Sequence, residues 1–281
     1  MVHSQAVSVV VAALLVAGCG GAQQSAPSDQ PSAKVSADSG ERAEAGGNGR
    51  MIVTYEDAGT PEAENGRALL QDNTVLEDLA DDINLSLALP HDVALIGAQC
   101  DEANAYWDRD ASSITICYEN ADLAEYVFAE AGDPDPIASA VNSEYATFYH
   151  EVGHMVISLY NLPVTGREED VADQLAAYVL LAEGEDGTID PVSVQAVKDY
   201  ARTFGAAGDA RTELGNDDFA DVHSLDETRN INLQCWIYGA DPESNADLVG
   251  AELPQQRADG CSDEWTQLQN AWATLLEPHF K

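Results

Sequence analysis

The sequence predicts an α+β protein, with a small sheet first and helices after it. Two observations predict this. Short β-branched runs fall between residues 50 and 117, and most of the chain beyond residue 120 carries apolar positions at helical spacing. Residues 50–55, RMIVTY, read as the first strand. Residues 69–88 read as one helix, because Leu70, Val75, Leu76, Leu79, Ile83 and Leu87 are mostly three to five apart, and Pro90 stops it. DVALIG at 92–97 is the next strand. A hairpin follows, with Ala105-Tyr-Trp entering a turn at Asp108-Arg-Asp-Ala and Ser113-Ile-Thr-Ile-Cys-Tyr leaving it with period two. Residues 123–131 read as a short helix ended by Gly132-Asp-Pro-Asp-Pro. Longer helices follow at 138–160 and 168–182, and residues 191–281 read as mostly helical with a break at 205–218.

The N-terminal fifth does not match a globular pattern. Residues 1–19, MVHSQAVSVVVAALLVAGC, hold an apolar run too short to span a bilayer, ending in small residues before Cys19. That ending resembles a bacterial lipobox, which implies cleavage before Cys19 and a lipid on its sulfur. The usual basic n-region is missing, with only His3 there. Residues 20–50 are rich in Gly, Ser, Ala and Gln, have no apolar period, and read as a flexible tether between a membrane and a folded domain at 51–281. Localisation is therefore expected to be exported and lipid-anchored in the cell envelope.

The cysteines agree with export. Besides Cys19 there are Cys100, Cys117, Cys235 and Cys261. An even set in an exported chain suggests two disulfides. Four cysteines allow three pairings, and the local pairs, Cys100 with Cys117 and Cys235 with Cys261, are the expectation. The charge excludes one partner class. Twelve basic and 50 acidic residues give a net charge of −38, which repels phosphate backbones and argues against nucleic acid.

Residues 148–156, FYHEVGHMV, hold the pattern H-E-x-x-H as His150-Glu151-Val152-Gly153-His154. With only 6 His in 281 residues, chance places this pattern in about one chain in a hundred. At about 100° per residue, His150 and His154 lie about 40° apart on one helix face, so one metal ion can touch both imidazoles. Phe148, Val152, Met155 and Leu159 fall on the opposite, apolar face, and Gly153 removes a side chain beside the site. Catalytic zinc takes three protein ligands and one water. The third ligand is sought in Arg167-Glu-Glu-Asp-Val-Ala-Asp, which a turn at 161–166 can bring back antiparallel. Glu169 is assigned as ligand and Asp173 as the carboxylate that accepts a histidine N–H. Glu168 and Asp170 are rivals.

The H-E-x-x-H followed by Glu169 and Asp173 is similar to thermolysin-like zincins, although the gap from His154 to Glu169 is shorter. FYHEVGHMV…NLPVTGREEDVADQLAAY resembles more closely a bacterial family of predicted metallopeptidases catalogued as a domain of unknown function. CDEANAYWDRDASSITICYE and HSLDETRNINLQCWIYGADP resemble the same family. The resemblance implies a zincin-like fold, one Zn²⁺ per chain and a peptide or protein substrate, with Glu151 as general base. It also implies an oxyanion donor downstream, for which His223 is favoured over Arg229 and Tyr238, whose plainer roles are pairing with a carboxylate and core packing. Trp107 could line a cleft, though packing is its simpler role. The alternative is a zinc-containing binding or envelope-assembly lipoprotein without turnover. Retention of Glu151 favours the enzyme, since a closed structural site has no use for it.

Overall fold

The computed structural model describes residues 47–184, 186–250 and 253–281. The expected signal with Cys19, and the expected tether up to residue 46, lie outside the described residues. The last tether positions are already part of the fold: Gly49 donates its N–H to the Leu89 carbonyl and Arg50 to the Asp92 carboxylate.

Four strands form one sheet: β1 (Met51–Tyr55), β2 (Val93–Ala98), β3 (Ala105–Asp108) and β4 (Ser113–Cys117), in the order β1-β2-β4-β3. β1, β2 and β4 are parallel, and β3 is an antiparallel edge strand on β4. The burial follows the order. Every residue of central β4 is buried, while β3 alternates half-buried and exposed positions, as an edge strand with one wet face should. Ten α-helices are described: α1 (Pro61–Asp72), α2 (Val75–Ser86), α3 (Tyr118–Glu130), α4 (Pro136–Tyr160), α5 (Glu168–Leu180), α6 (Pro191–Ala210), α7 (Asn216–Ala220), α8 (Asp226–Ala240), α9 (Gln255–Ala258) and α10 (Cys261–Leu276). The α+β class therefore holds.

Three expected boundaries are corrected. The helix expected at 69–88 is two helices, α1 and α2, broken at Asn73-Thr74, where Thr74 takes a left-handed φ of 51°. Apolar spacing runs through the break because both helices bury residues in the same core. α3 begins at Tyr118 and not at 123. Gly66 of α1 lies against it so closely that a Cβ there would sit 1.8 Å from the Tyr118 carbonyl oxygen. α6 runs through Gly205 to Ala210, so the non-helical stretches are 211–215 and 221–225, on either side of α7. Gly205 and Gly208 are tolerated within α6 because they face Asn230 and Glu227 of α8. The disulfides are the local pairs, Cys100–Cys117 and Cys235–Cys261.

α4 is the spine. Asp135 caps it by accepting from the Ala138 N–H, and Pro136 occupies its first turn. Phe148, Val152, Met155 and Val156 are buried in the main core with Leu95 and Ile114 of the sheet. β3 and β4, α2, α3, α5 and α6 all pack on it.

The charge predicts a measurable property of this fold. Screening shortens from about 10 Å at 0.1 M salt to about 3 Å at 1 M, which relieves self-repulsion in the compact state. The melting temperature, followed by circular dichroism with chelator present, should rise by several degrees between those concentrations. A flat or falling trend would show that the acidic surface does not strain the fold.

Candidate metal centre

The site forms where α4 meets α5. Asn161 ends α4 in a left-handed conformation (φ 50°), and α5 opens at Glu168. The helices run antiparallel: His154 meets Glu168 and Glu169, while His150, one turn earlier, meets Asp173. Gly153 makes this approach possible. A Cβ there would lie 2.7 Å from the Ala172 Cα, so a larger residue would push α5 away. Its role is this helix contact rather than clearance beside the histidines.

Three candidate ligand atoms converge. His150 Nε2 lies 3.3 Å from His154 Nε2, and Glu169 Oε2 lies 3.2 Å from each. A tetrahedral zinc ion with bonds of about 2.0–2.1 Å has ligand–ligand edges of about 3.3–3.4 Å. The triangle therefore has the size of one tetrahedral face, and these residues fit a metal ion. His223 Nε2 lies 3.1 Å from the same Glu169 oxygen. His150, Glu169 and His223 offer atoms all within 4.8 Å of one another, a second set that competes with the first. The set with His154 is the better fit, because all three of its edges match a tetrahedral face. Its members also stand on two packed helices, whereas His223 sits between α7 and α8 with a side chain 45 % exposed.

The electrostatics favour a cation here. Burial opposes charge on His154, but Glu169 and Glu168 outweigh it and push the imidazole up to about 9. Burial would raise the Glu169 carboxyl, yet the three histidines hold it far below the usual range. Glu168 and Glu169 thus place negative charge beside the imidazoles, which a divalent cation would meet, and the imidazoles release their protons to bind one.

Outer contacts orient both histidines. His150 Nδ1 is 2.7 Å from Asp173 Oδ1, the partner expected from the sequence. His154 Nδ1 is 2.9 Å from Glu168 Oε1, so Glu168 orients a histidine rather than rivalling Glu169. Asp170 bonds to neither. Arg229 reaches Asp173 with Nε at 2.8 Å and an Nη at 2.7 Å, and also donates to the Tyr200 hydroxyl, itself 3.2 Å from Asp173 Oδ1. Burial would raise Asp173, but Arg229 and His150 hold it well below the usual carboxylate range. Arg229 is thus committed to a buried carboxylate and is corrected as an oxyanion donor. Tyr238 packs between the two apolar clusters and is corrected as well. Tyr200 and the orienting role of Glu168 escaped sequence reading. Tyr200 stands on another helix, 27 positions from Asp173, and no short motif marks it.

Glu151 is buried beside the triangle, 5 % exposed. Burial lifts its carboxyl above the ordinary glutamate range, against the pull of His150 and His154 and a hydrogen bond from the Trp107 backbone. Two cavities meet at His150, Glu151 and His223. One, of about 410 Å³, opens between α3, α4 and α6. The other, of about 400 Å³, is lined by Tyr106, Trp107 and Arg109 of the β3 hairpin and by His154, Glu168 and Glu169. Trp107 therefore both packs on the core and lines the cleft.

Neither a search of curated proteins nor one of solved structures returned a match. One family model does match, over residues 55–276, under the description "Putative metallopeptidase". That span covers well over half of the chain and contains the whole site, so the chain belongs to this metallopeptidase family.

Proposed function

We propose that this chain is a zinc-dependent peptidase with a zincin-like centre, in which His150, His154 and Glu169 hold the ion and Glu151 is the general base. The observation that carries the proposal is the ligand triangle, with Glu151 buried beside it and two cavities opening from it. Zinc, when bound, supplies a Lewis acid for the carbonyl and acidifies a water molecule. Glu151 takes the proton of the attacking water and returns it to the leaving amine. A base whose affinity for protons is raised by burial suits that exchange near neutral pH. Asp173, fixed by Arg229 and Tyr200, holds His150 through its Nδ1, and Glu168 does the same for His154. His223, at the junction of both cavities, donates to the oxygen that gains charge on the substrate.

One observation favours a second reading. His223 lies as close to Glu169 as the other histidines do. As a fourth ligand it would close the centre into a structural site, and the chain would be a binding protein. Glu151 weighs against this, because a closed site leaves a buried carboxylate without a task. An exported, lipid-anchored location remains part of the proposal. It is supported by the residues before Cys19 and by two disulfides, which persist in oxidising compartments.

The test is metal removal. Cleavage of a mixed peptide library should stop with a chelator and return on adding one equivalent of zinc. Cleavage that survives full removal of metal would refute the zinc mechanism. Stoichiometric zinc without any cleavage would favour the binding protein.

A further inference from the structure

The cavity between α3, α4 and α6 differs in chemistry from the metal centre it adjoins. Its apolar walls include Leu123, Val127, Phe204, Ala206, Ala207 and Ala210. The alanines of α6 make the room. At about 410 Å³ it falls within the usual range of about 300–1,000 Å³ for small-ligand sites.

Asn104 and Thr147 are neutral polar groups of its lining, and several others are engaged elsewhere. The Ser143 hydroxyl donates to the Ala140 carbonyl, and the Thr203 hydroxyl to the Tyr200 carbonyl. Arg229 is held by Asp173. Asn120 donates its Nδ2 to Glu144 Oε1 at 2.7 Å. Glu144 is buried behind Asn120 and is not part of the cavity lining, and burial pushes its carboxyl up to about 8. Fixing the Asn120 amide in this way leaves its carbonyl oxygen as the acceptor available to a ligand. Beyond the metal centre's own groups, the pocket presents no uncommitted charge to a ligand.

We propose that this cavity is a specificity pocket that takes the large, uncharged apolar side chain of a residue flanking the cleaved bond, with Asn120, held by Glu144, as a polar contact at its wall. A charged side chain would lose its hydration there with no partner in return. This inference rests on the peptidase reading, but its test does not require cleavage.

The experiment uses zinc-loaded protein and hydroxamates, which bind through the ion. Affinities are measured by calorimetry for acetohydroxamate and for peptidyl hydroxamates bearing an isobutyl, an aminobutyl or a carboxyethyl side chain. The isobutyl compound should bind roughly 10-fold or more tighter than acetohydroxamate and than either charged compound, since each methylene in an apolar pocket is worth about 10-fold or more. Ala207 is exposed, so Ala207→Phe should fold normally while filling the cavity. It should erase the isobutyl advantage and leave acetohydroxamate binding unchanged. An isobutyl advantage that persists in Ala207→Phe, equal binding of the charged compounds, or no hydroxamate binding at all would overturn the pocket. Selective hydroxamate binding without cleavage of any peptide would keep the pocket and sink the peptidase reading instead.

Discussion

Glu151→Gln is expected to lower peptide cleavage by about 10²–10⁴-fold, the usual contribution of general acid–base catalysis, while the metal stays bound. The residue is not part of the ligand triangle, and the Trp107 backbone lies close enough to lower its proton affinity. Glutamine keeps the size of the side chain and can still meet that backbone group. It cannot accept a proton from water or return one to the leaving amine. The check is a pair of measurements on one preparation, zinc content and single-turnover cleavage. Loss of cleavage with full zinc gives Glu151 its proton-transfer role. Cleavage within a few-fold of wild type would remove Glu151 from the chemistry and leave the centre without a base.

Arg229→Met is expected to have the largest effect on stability, about 3–5 kcal/mol, because removing one partner strands a buried charge. Asp173 is 2 % exposed and Arg229 8 %, so solvent screens the pair little. The loss appears in urea unfolding of the chelated protein. Its pH dependence has a definite sign. Asp173 titrates below its unfolded value, so pairing stabilises the fold above the ordinary aspartate pKa, and the benefit fades as pH falls through the lowered one. The deficit of Arg229→Met should therefore be largest near neutral pH and shrink in acid. Zinc affinity should fall as well, by about 10–100-fold, as expected when the group orienting a ligand histidine is disturbed. A variant of wild-type stability and zinc affinity would show that Tyr200 and His150 hold Asp173 without Arg229.

Much of this was legible in the sequence because it is local. Strands β1, β2 and β4 announce themselves through β-branched residues, and α4 through its apolar back opposite the histidines, although it starts at Pro136, two residues before the expected 138. The pairing of Glu169 and Asp173 with the histidines was readable because a short turn joins α4 to α5, so spacing four apart on each helix maps one onto the other. The disulfides could be anticipated as local pairs for a similar reason. What escaped depends on distant packing. The break at Asn73-Thr74 is silent because apolar spacing continues across it. Pairing with a carboxylate is a plain reading of Arg229, but which carboxylate is fixed only when α8 packs beside α5 and delivers it to Asp173. Tyr200 is one tyrosine among 10 until α6 brings it to the same carboxylate. Gly153 looks like a cleared space, and only the packed helices show the Ala172 backbone behind it.

The central claim is that His150, His154 and Glu169 hold one catalytic metal ion. The most direct measurement is zinc bound per chain at equilibrium, by elemental analysis after dialysis against buffered zinc, for wild type, His154→Ala, Glu169→Ala, Glu168→Ala and Glu151→Gln. The account predicts one zinc in wild type and in Glu151→Gln, weaker binding in Glu168→Ala, and little in His154→Ala or Glu169→Ala. No zinc in wild type, or undiminished zinc in His154→Ala or Glu169→Ala, would contradict it.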